Sequence, residues 1–218
     1  ALRRMLQGQF TPQAVAKYGV YYTPPEIVRL IVAETNRALK EELGTEGLLD
    51  ETVRLLDPAC GTGTFLLGAI GAAAEEAEQT FGEGMVGTAI SSFAQRMYGF
   101  ELLVGPYTVA HYRVLREVAG RGGGAEHIPI YLTDTLAPPA DERAITAHLD
   151  FMGRPMVAER QAADRVKREE PILAIIGNPP YKRLKSGEVP RLVGGHIAML
   201  WDDLKRPVQN AGMGRSLN

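Results

Sequence analysis

Apolar and polar positions alternate along this chain in blocks: short apolar runs are separated by longer stretches with a helical period. The first stretch opens at Thr23, followed by Pro24, Pro25 and Glu26, a grouping that combines an N-cap, first-turn proline and a carboxylate three residues on. It predicts a helix to about Glu42 with Ile27, Leu30, Ile31 and Ala38 on one apolar face. "VRLLD" (Val53 to Asp57) then reads as a short strand, "PACGTG" as a glycine-bearing turn, and the alanine-rich run from Thr64 to about Thr80 as a helix. "MYGFE" (Met97 to Glu101) is a second strand, Pro106 starts a helix through about Val118, and "IPIYLTD" (Ile128 to Asp134) is a third strand. A charged helix from about Pro155 to Glu169 leads past Pro171 into a fourth apolar run, Leu173 to Ile176. That run must stop at "NPPY", because proline cannot donate to a sheet ladder. Strands alternating with helices predict parallel βαβ units and an α/β fold with a doubly wound sheet.

The strands share a peculiarity. Asp57, Glu101 and Asp134 stand at successive carboxyl ends, the edge where open α/β sheets bind ligands. Any one alone reads first as a helix-capping or loop carboxylate; three in register with a glycine turn point to a site.

Composition narrows what the site serves. The 218 residues, 45% of them hydrophobic, suit one globular domain or one and a half. A net charge of −2 gives no global basic field, so any contact with nucleic acid must be local or supplied by another domain. Cys60 is the sole cysteine, which excludes an intramolecular disulfide and fits a reducing compartment. His111, His127, His148 and His196 are scattered singly, without metal-ligand spacing, and no metal site is expected. No apolar run approaches the ~20 residues of a membrane span, and the N-terminus lacks a signal-peptide layout. A soluble, cytoplasmic protein without a membrane partner is expected. "GRGGG" (Gly120 to Gly124) reads as a flexible hinge or loop tip.

The turn "DPACGTGTF" fails as a dinucleotide fingerprint, because the third glycine of G-x-G-x-x-G would fall at Leu66. It also lacks the lysine followed by Ser or Thr of a triphosphate loop. What remains is a tight turn beside Asp57, a carboxylate that repels phosphate and attracts a cation or hydroxyls. A ligand with an amino group, a sulfonium and a ribose fits.

"GVYYTPPEIV", "LLDPACGTGTFL", "GFELL", "YLTDTL" and "IIGNPPY", in that order, resemble the gamma group of S-adenosylmethionine-dependent N6-adenine DNA methyltransferases, over roughly Gly19 to Tyr181. The resemblance implies a Rossmann-like methyltransferase sheet. It implies that Tyr22, Thr23 and Pro24 close over the methionine end of the cofactor. Asp57, Pro58, Ala59, Cys60, Gly61, Gly63 and Phe65 are similar to the stretch that holds the methionine moiety. Glu101 resembles the acid that grips both ribose hydroxyls, Asp134 the acid that accepts from the cofactor's adenine amino group, and Leu102 and Leu136 the apolar walls of that ring. Cys60 is then a small buried thiol near the cofactor and not a nucleophile.

Asn178, Pro179, Pro180 and Tyr181 are the residues the resemblance makes catalytic. An exocyclic adenine nitrogen is a poor nucleophile because its lone pair is delocalised into the ring. The Asn178 side-chain oxygen and the Pro179 carbonyl would accept its two hydrogens, and the prolines would hold that carbonyl rigid. Tyr181 would offer a flat face to a base that has left the duplex. Other planar amino groups, a glutamine amide in a protein, guanine in RNA or cytosine in DNA, suit the same chemistry, and "YYTPPEIV" upstream favours DNA adenine. A scaffold that keeps the fold without activity is the alternative of a different class.

Residues 1–22 read as a connector from an upstream domain or a surface helix, 23–181 as the catalytic core, and 182–218 as part of a C-terminal extension. Only 37 residues follow Tyr181, so the catalytic domain is expected to be incomplete. Lys182, Arg183, Lys185 and Arg191 in that tail suit either phosphates or a solvated loop. The expected partners are double-stranded DNA with a flipped adenine, and target-recognition, nuclease or translocase domains of a large restriction-modification polypeptide.

Overall fold

Four strands pair in parallel in the computed structural model, which describes residues 23–137, 139 and 154–179. They are β1 (Leu55–Asp57), β2 (Met97–Glu101), β3 (Ile130–Leu132) and β4 (Ala174–Ile175), in the order β3-β2-β1-β4. Leu55 faces Met97 on one side and Ala174 on the other, and Gly99 faces Ile130. The chain runs outward from β1 through β2 to β3 and then returns to the opposite side of β1. The topological switch point therefore lies between β1 and β4, where ligands bind in such sheets.

Helices cover both faces. On one side pack α1 (Pro25–Glu41), α2 (Thr64–Phe81), α3 (Glu83–Ala94) and α4 (Val104–Gly120), around a core that includes Leu55, Leu66, Ile70, Phe93, Met97, Val114 and Ile130. On the other side α5 (Arg154–Glu169) brings Ala163 and Val166 against Leu56, Tyr98 and Phe100. The period of two along each strand explains the division: Leu55 and Leu56 point to opposite cores. The expected α/β doubly wound sheet is what the chain forms.

Details differ from the sequence expectation. Helix α1 buries Val28, Val32 and Leu39, whereas Ile27 and Leu30 are exposed, because α2 lies against the neighbouring stripe of the same helix. Helix α3 was not foreseen. It follows directly on α2 at Gly82 (φ 85°), and burial of Ile90, Phe93 and Ala94 offsets a sequence rich in glycine and β-branched residues. The glycine run after α4 is docked on α3, where Gly124 N–H donates to Ser91 Oγ at 2.9 Å. At the amino ends of the strands, the Arg96 guanidinium donates to the carbonyls of Leu49, Asp50 and Val53 and ties the connection before β1 to β2.

Among the described residues the sheet and the helices around it belong to one compact unit, and Leu136 and Ala137 fall outside it. Among the described residues no helix is long and apolar enough to cross a membrane, and no group of His, Cys, Asp and Glu could hold a metal ion.

Candidate functional site

Beyond Asp57 the chain leaves β1 through Pro58, which ends the ladder, and turns tightly. Ala59 N–H donates to Asp57 Oδ1 at 3.1 Å, Cys60 N–H to the Phe100 carbonyl at 2.9 Å, and Gly63 N–H to the Cys60 carbonyl at 2.7 Å. Gly61 and Gly63 have φ of 55° and 77°, the left-handed region that glycine enters without steric cost. Gly63 is doubly constrained, since a Cβ there would sit 3.3 Å from Val114 Cγ2 on α4. From the same helix Arg113 Nη1 reaches the Thr62 carbonyl at 2.7 Å and its hydroxyl at 2.9 Å. Thr135 Oγ1 donates to the Pro58 carbonyl, which fastens the turn to the segment leaving β3.

Glu101 is the next anchor. Its Oε2 accepts from Gly61 N–H and its Oε1 from Leu103 N–H, both at 2.8 Å, so the acid that ends β2 clamps the turn that follows β1. Burial raises its carboxyl above the ordinary range, against the pull of those N–H groups. Asp57 is 1% exposed, and burial pushes its carboxyl up to about 7; the Ala59 N–H works against the rise and the charge of Glu101 adds to it. Its Oδ2 is buried without a hydrogen-bond partner. Two acids are thus held close together with one oxygen unsatisfied, an arrangement that a cationic group and hydroxyl donors would relieve. The Cys60 thiol, also buried, is raised well above its usual range and stays protonated.

The second loop leaves β4. Ile176 N–H still donates to the Leu56 carbonyl at 3.0 Å, and at Gly177 the chain passes directly over Asp57. A Cβ on Gly177 would fall 2.6 Å from Asp57 Oδ1 and 3.4 Å from Pro58 Cδ, so only glycine lets the strand tip come this close. The partly buried Asn178 follows, its Nδ2 donating to Thr23 Oγ1 at 3.0 Å, and Pro179 is exposed. Thr23 does not cap α1 as expected: the N-cap position is Pro24, which has no side-chain cap bond, and the threonine hydroxyl serves the strand tip instead.

Of the residues anticipated from sequence, Asp57, Ala59, Gly61, Gly63, Glu101, Asn178 and Thr23 converge on this crevice. Phe65 lies behind it in the core. Leu102 and Leu136 are exposed. Asp134 stands two residues beyond β3, partly buried, with its carbonyl accepting from Lys167 Nζ at 2.8 Å. Tyr22, Pro180 and Tyr181 lie outside the described residues. Sequence reasoning missed Arg113, Thr135 and Lys167, whose roles come from long-range packing. It also missed Gly177, although a glycine between a strand and "NPPY" is a signal for close backbone approach.

The family model of the N-6 DNA methylases matches residues 4–189. Among solved structures the chain is similar to a nuclease-deletion mutant of the Type ISP restriction-modification enzyme LlaGI in complex with a DNA substrate mimic (24% identity, TM-score 0.63, covering 86% of this chain and 15% of that one). It is similar to DrdV in a DNA complex (27%, 0.62, covering 90% and 17%). A third is the ATP-dependent Type ISP restriction-modification enzyme LlaBIII bound to DNA (24%, 0.64, covering 85% and 12%). This chain therefore spans 12% to 17% of the length of these three proteins. No curated protein matches it.

Proposed function

Because the chain belongs to the N-6 DNA methylase family, we propose that it carries the cofactor turn and transfer tip of an S-adenosylmethionine-dependent adenine methyltransferase, within a larger restriction-modification polypeptide. The observation that supports this most is the position of Asn178 just beyond β4, next to Gly177, which lies against buried Asp57 at the switch point.

The residues present fit the cofactor. Asp57 has a buried oxygen without a partner, suited to a cationic amino group, and nothing lies within 4 Å of a Cβ position on Gly61, so the turn is open for close approach. Glu101 still has lone pairs for ribose hydroxyls beside its two backbone donors. Asp134 and Leu102 would serve the adenine end, and Tyr22, Thr23 and Pro24 the methionine end. Bound there, S-adenosylmethionine supplies an electrophilic methyl group.

The chain's own part is to prepare the acceptor. Asn178 Oδ1 and the Pro179 carbonyl accept the two hydrogens of the adenine amino group, which draws the nitrogen toward tetrahedral geometry and frees its lone pair. Fixed acceptors of this kind act by electrostatic preorganisation, at no reorganisation cost during the reaction. Pro180 stiffens the tip and Tyr181 stacks on the extruded base. The proton lost after transfer leaves to water or by way of the Asn178 side chain, so no dedicated general base is assigned.

The test is transfer of labelled methyl groups by the full-length polypeptide to DNA, RNA and protein, with nucleoside analysis of the product. Label in N6-methyladenine is expected. Label only in cytosine, RNA guanine or a protein amide would contradict the assignment of DNA adenine.

A further inference from the structure

A carboxamide has two ends of nearly equal shape, and only one of them accepts a hydrogen bond. If Asn178 turned its NH2 toward the acceptor amine, donor would face donor and the tip would repel the substrate. The amide must therefore be held in place. We propose that Thr23 is a positioning residue that anchors the Asn178 side chain at the tip through its amide nitrogen; this rests on the transfer function proposed above.

Three observations carry the assignment. Asn178 Nδ2 lies 3.0 Å from Thr23 Oγ1, and the threonine, at 9% exposure, is shielded from competing water. Thr23 is itself held in place, because Pro24 and Pro25 stiffen the backbone beside it and the Pro24 carbonyl accepts from Ile27 and Val28 N–H, both at 3.1 Å. Helix α1 is locked onto α2 by Val28, 3% exposed and seated at Gly68, where a Cβ would fall 2.6 Å from Val28 Cγ1. The β-branched side chain adds stiffness at χ1, so the hydroxyl is delivered in a narrow range of positions. Gly177 over Asp57 thus places the backbone of the tip, and Thr23 anchors its side chain.

Thr23→Val keeps the shape and removes the hydroxyl, and Thr23→Ser keeps the hydroxyl. In the full-length polypeptide, single-turnover transfer should fall about tenfold in the valine variant, the effect of one shielded hydrogen bond, and return to within about threefold in the serine variant. Transfer is measured at saturating S-adenosylmethionine and cofactor affinity separately, so that a loss of positioning is read apart from any loss of cofactor binding. In the 218-residue chain, the Asn178 side-chain amide protons should exchange with solvent faster in Thr23→Val and at the wild-type rate in Thr23→Ser. Unchanged transfer and exchange in Thr23→Val, or a loss confined to cofactor affinity, would overturn the proposal. A wild-type polypeptide that methylates no DNA adenine would contradict the functional reading instead, and the exchange rates would still decide whether Thr23 holds the amide.

Discussion

Two loops meet at the switch point, and they are held in different ways. The turn after β1 is bonded along its length: to its own acid through Ala59, to β2 through Cys60 and Gly61, to α4 through Thr62, and to the segment after β3 through Pro58. The tip after β4 instead lies on Asp57 through a bare glycine, and its Asn178 side chain bonds a threonine 155 residues upstream. A turn with redundant ties tolerates the loss of one. A tip placed by a close contact and a long-range bond does not. Binding and transfer should therefore respond differently to substitution.

The largest separation is expected at Asn178. Asn178→Ala in the full-length polypeptide should lower transfer by at least about 100-fold, the scale seen when one preorganised polar group is removed, while calorimetry finds cofactor affinity near wild type. Equal loss of both would merge the two loops into one functional unit.

Asp57 tests the electrostatics of the turn. Its carboxyl, raised to about 7 by burial and then by Glu101, keeps in the native state a proton that the unfolded chain releases near its ordinary value. Stability from this group is therefore complete below about pH 4 and declines as pH rises through about 7. Between pH 5 and 8 the decline should be roughly 2–3 kcal/mol, and Asp57→Asn should remove it in denaturant titrations at the two pH values. Parallel profiles for wild type and variant would show that Asp57 is not buried as described.

Gly177→Ala should cost about 1–3 kcal/mol of stability, because the methyl group meets the Asp57 carboxylate, and should reduce transfer more than cofactor affinity. Thermal unfolding and single-turnover kinetics together report both. The smallest effect is expected at Glu101, where the turn's other ties remain: Glu101→Ala should weaken S-adenosylmethionine about tenfold by calorimetry, since a charged hydrogen bond contributes about 1.5–3 kcal/mol and part is compensated.

Much of this arrangement was legible in the sequence wherever the signal was local. The strands ending at Asp57 and Glu101, the glycines of the turn and the proline stop after Ile176 follow from periodicity and turn chemistry. What was not legible depended on tertiary placement. Both Ile27/Leu30 and Val28/Val32 satisfy a helical period, and the position of α2 decides which stripe is buried. Helix α3 has weak intrinsic propensity and forms because Ile90 and Phe93 find a core. Thr23 followed by Pro24, Pro25 and Glu26 reads locally as a cap, yet its hydroxyl is used by Asn178, a partner that no window of sequence contains.

The central claim is that the Asp57, Gly61 and Glu101 crevice is an S-adenosylmethionine site. Calorimetric titration of the 218-residue chain with S-adenosylmethionine, with NADH as control ligand and Glu101→Ala as control protein, tests it most directly. Saturable binding of S-adenosylmethionine alone, weakened in the variant, is the expected result. Binding of NADH in its place, or of S-adenosylmethionine with the same affinity in Glu101→Ala, would contradict the account.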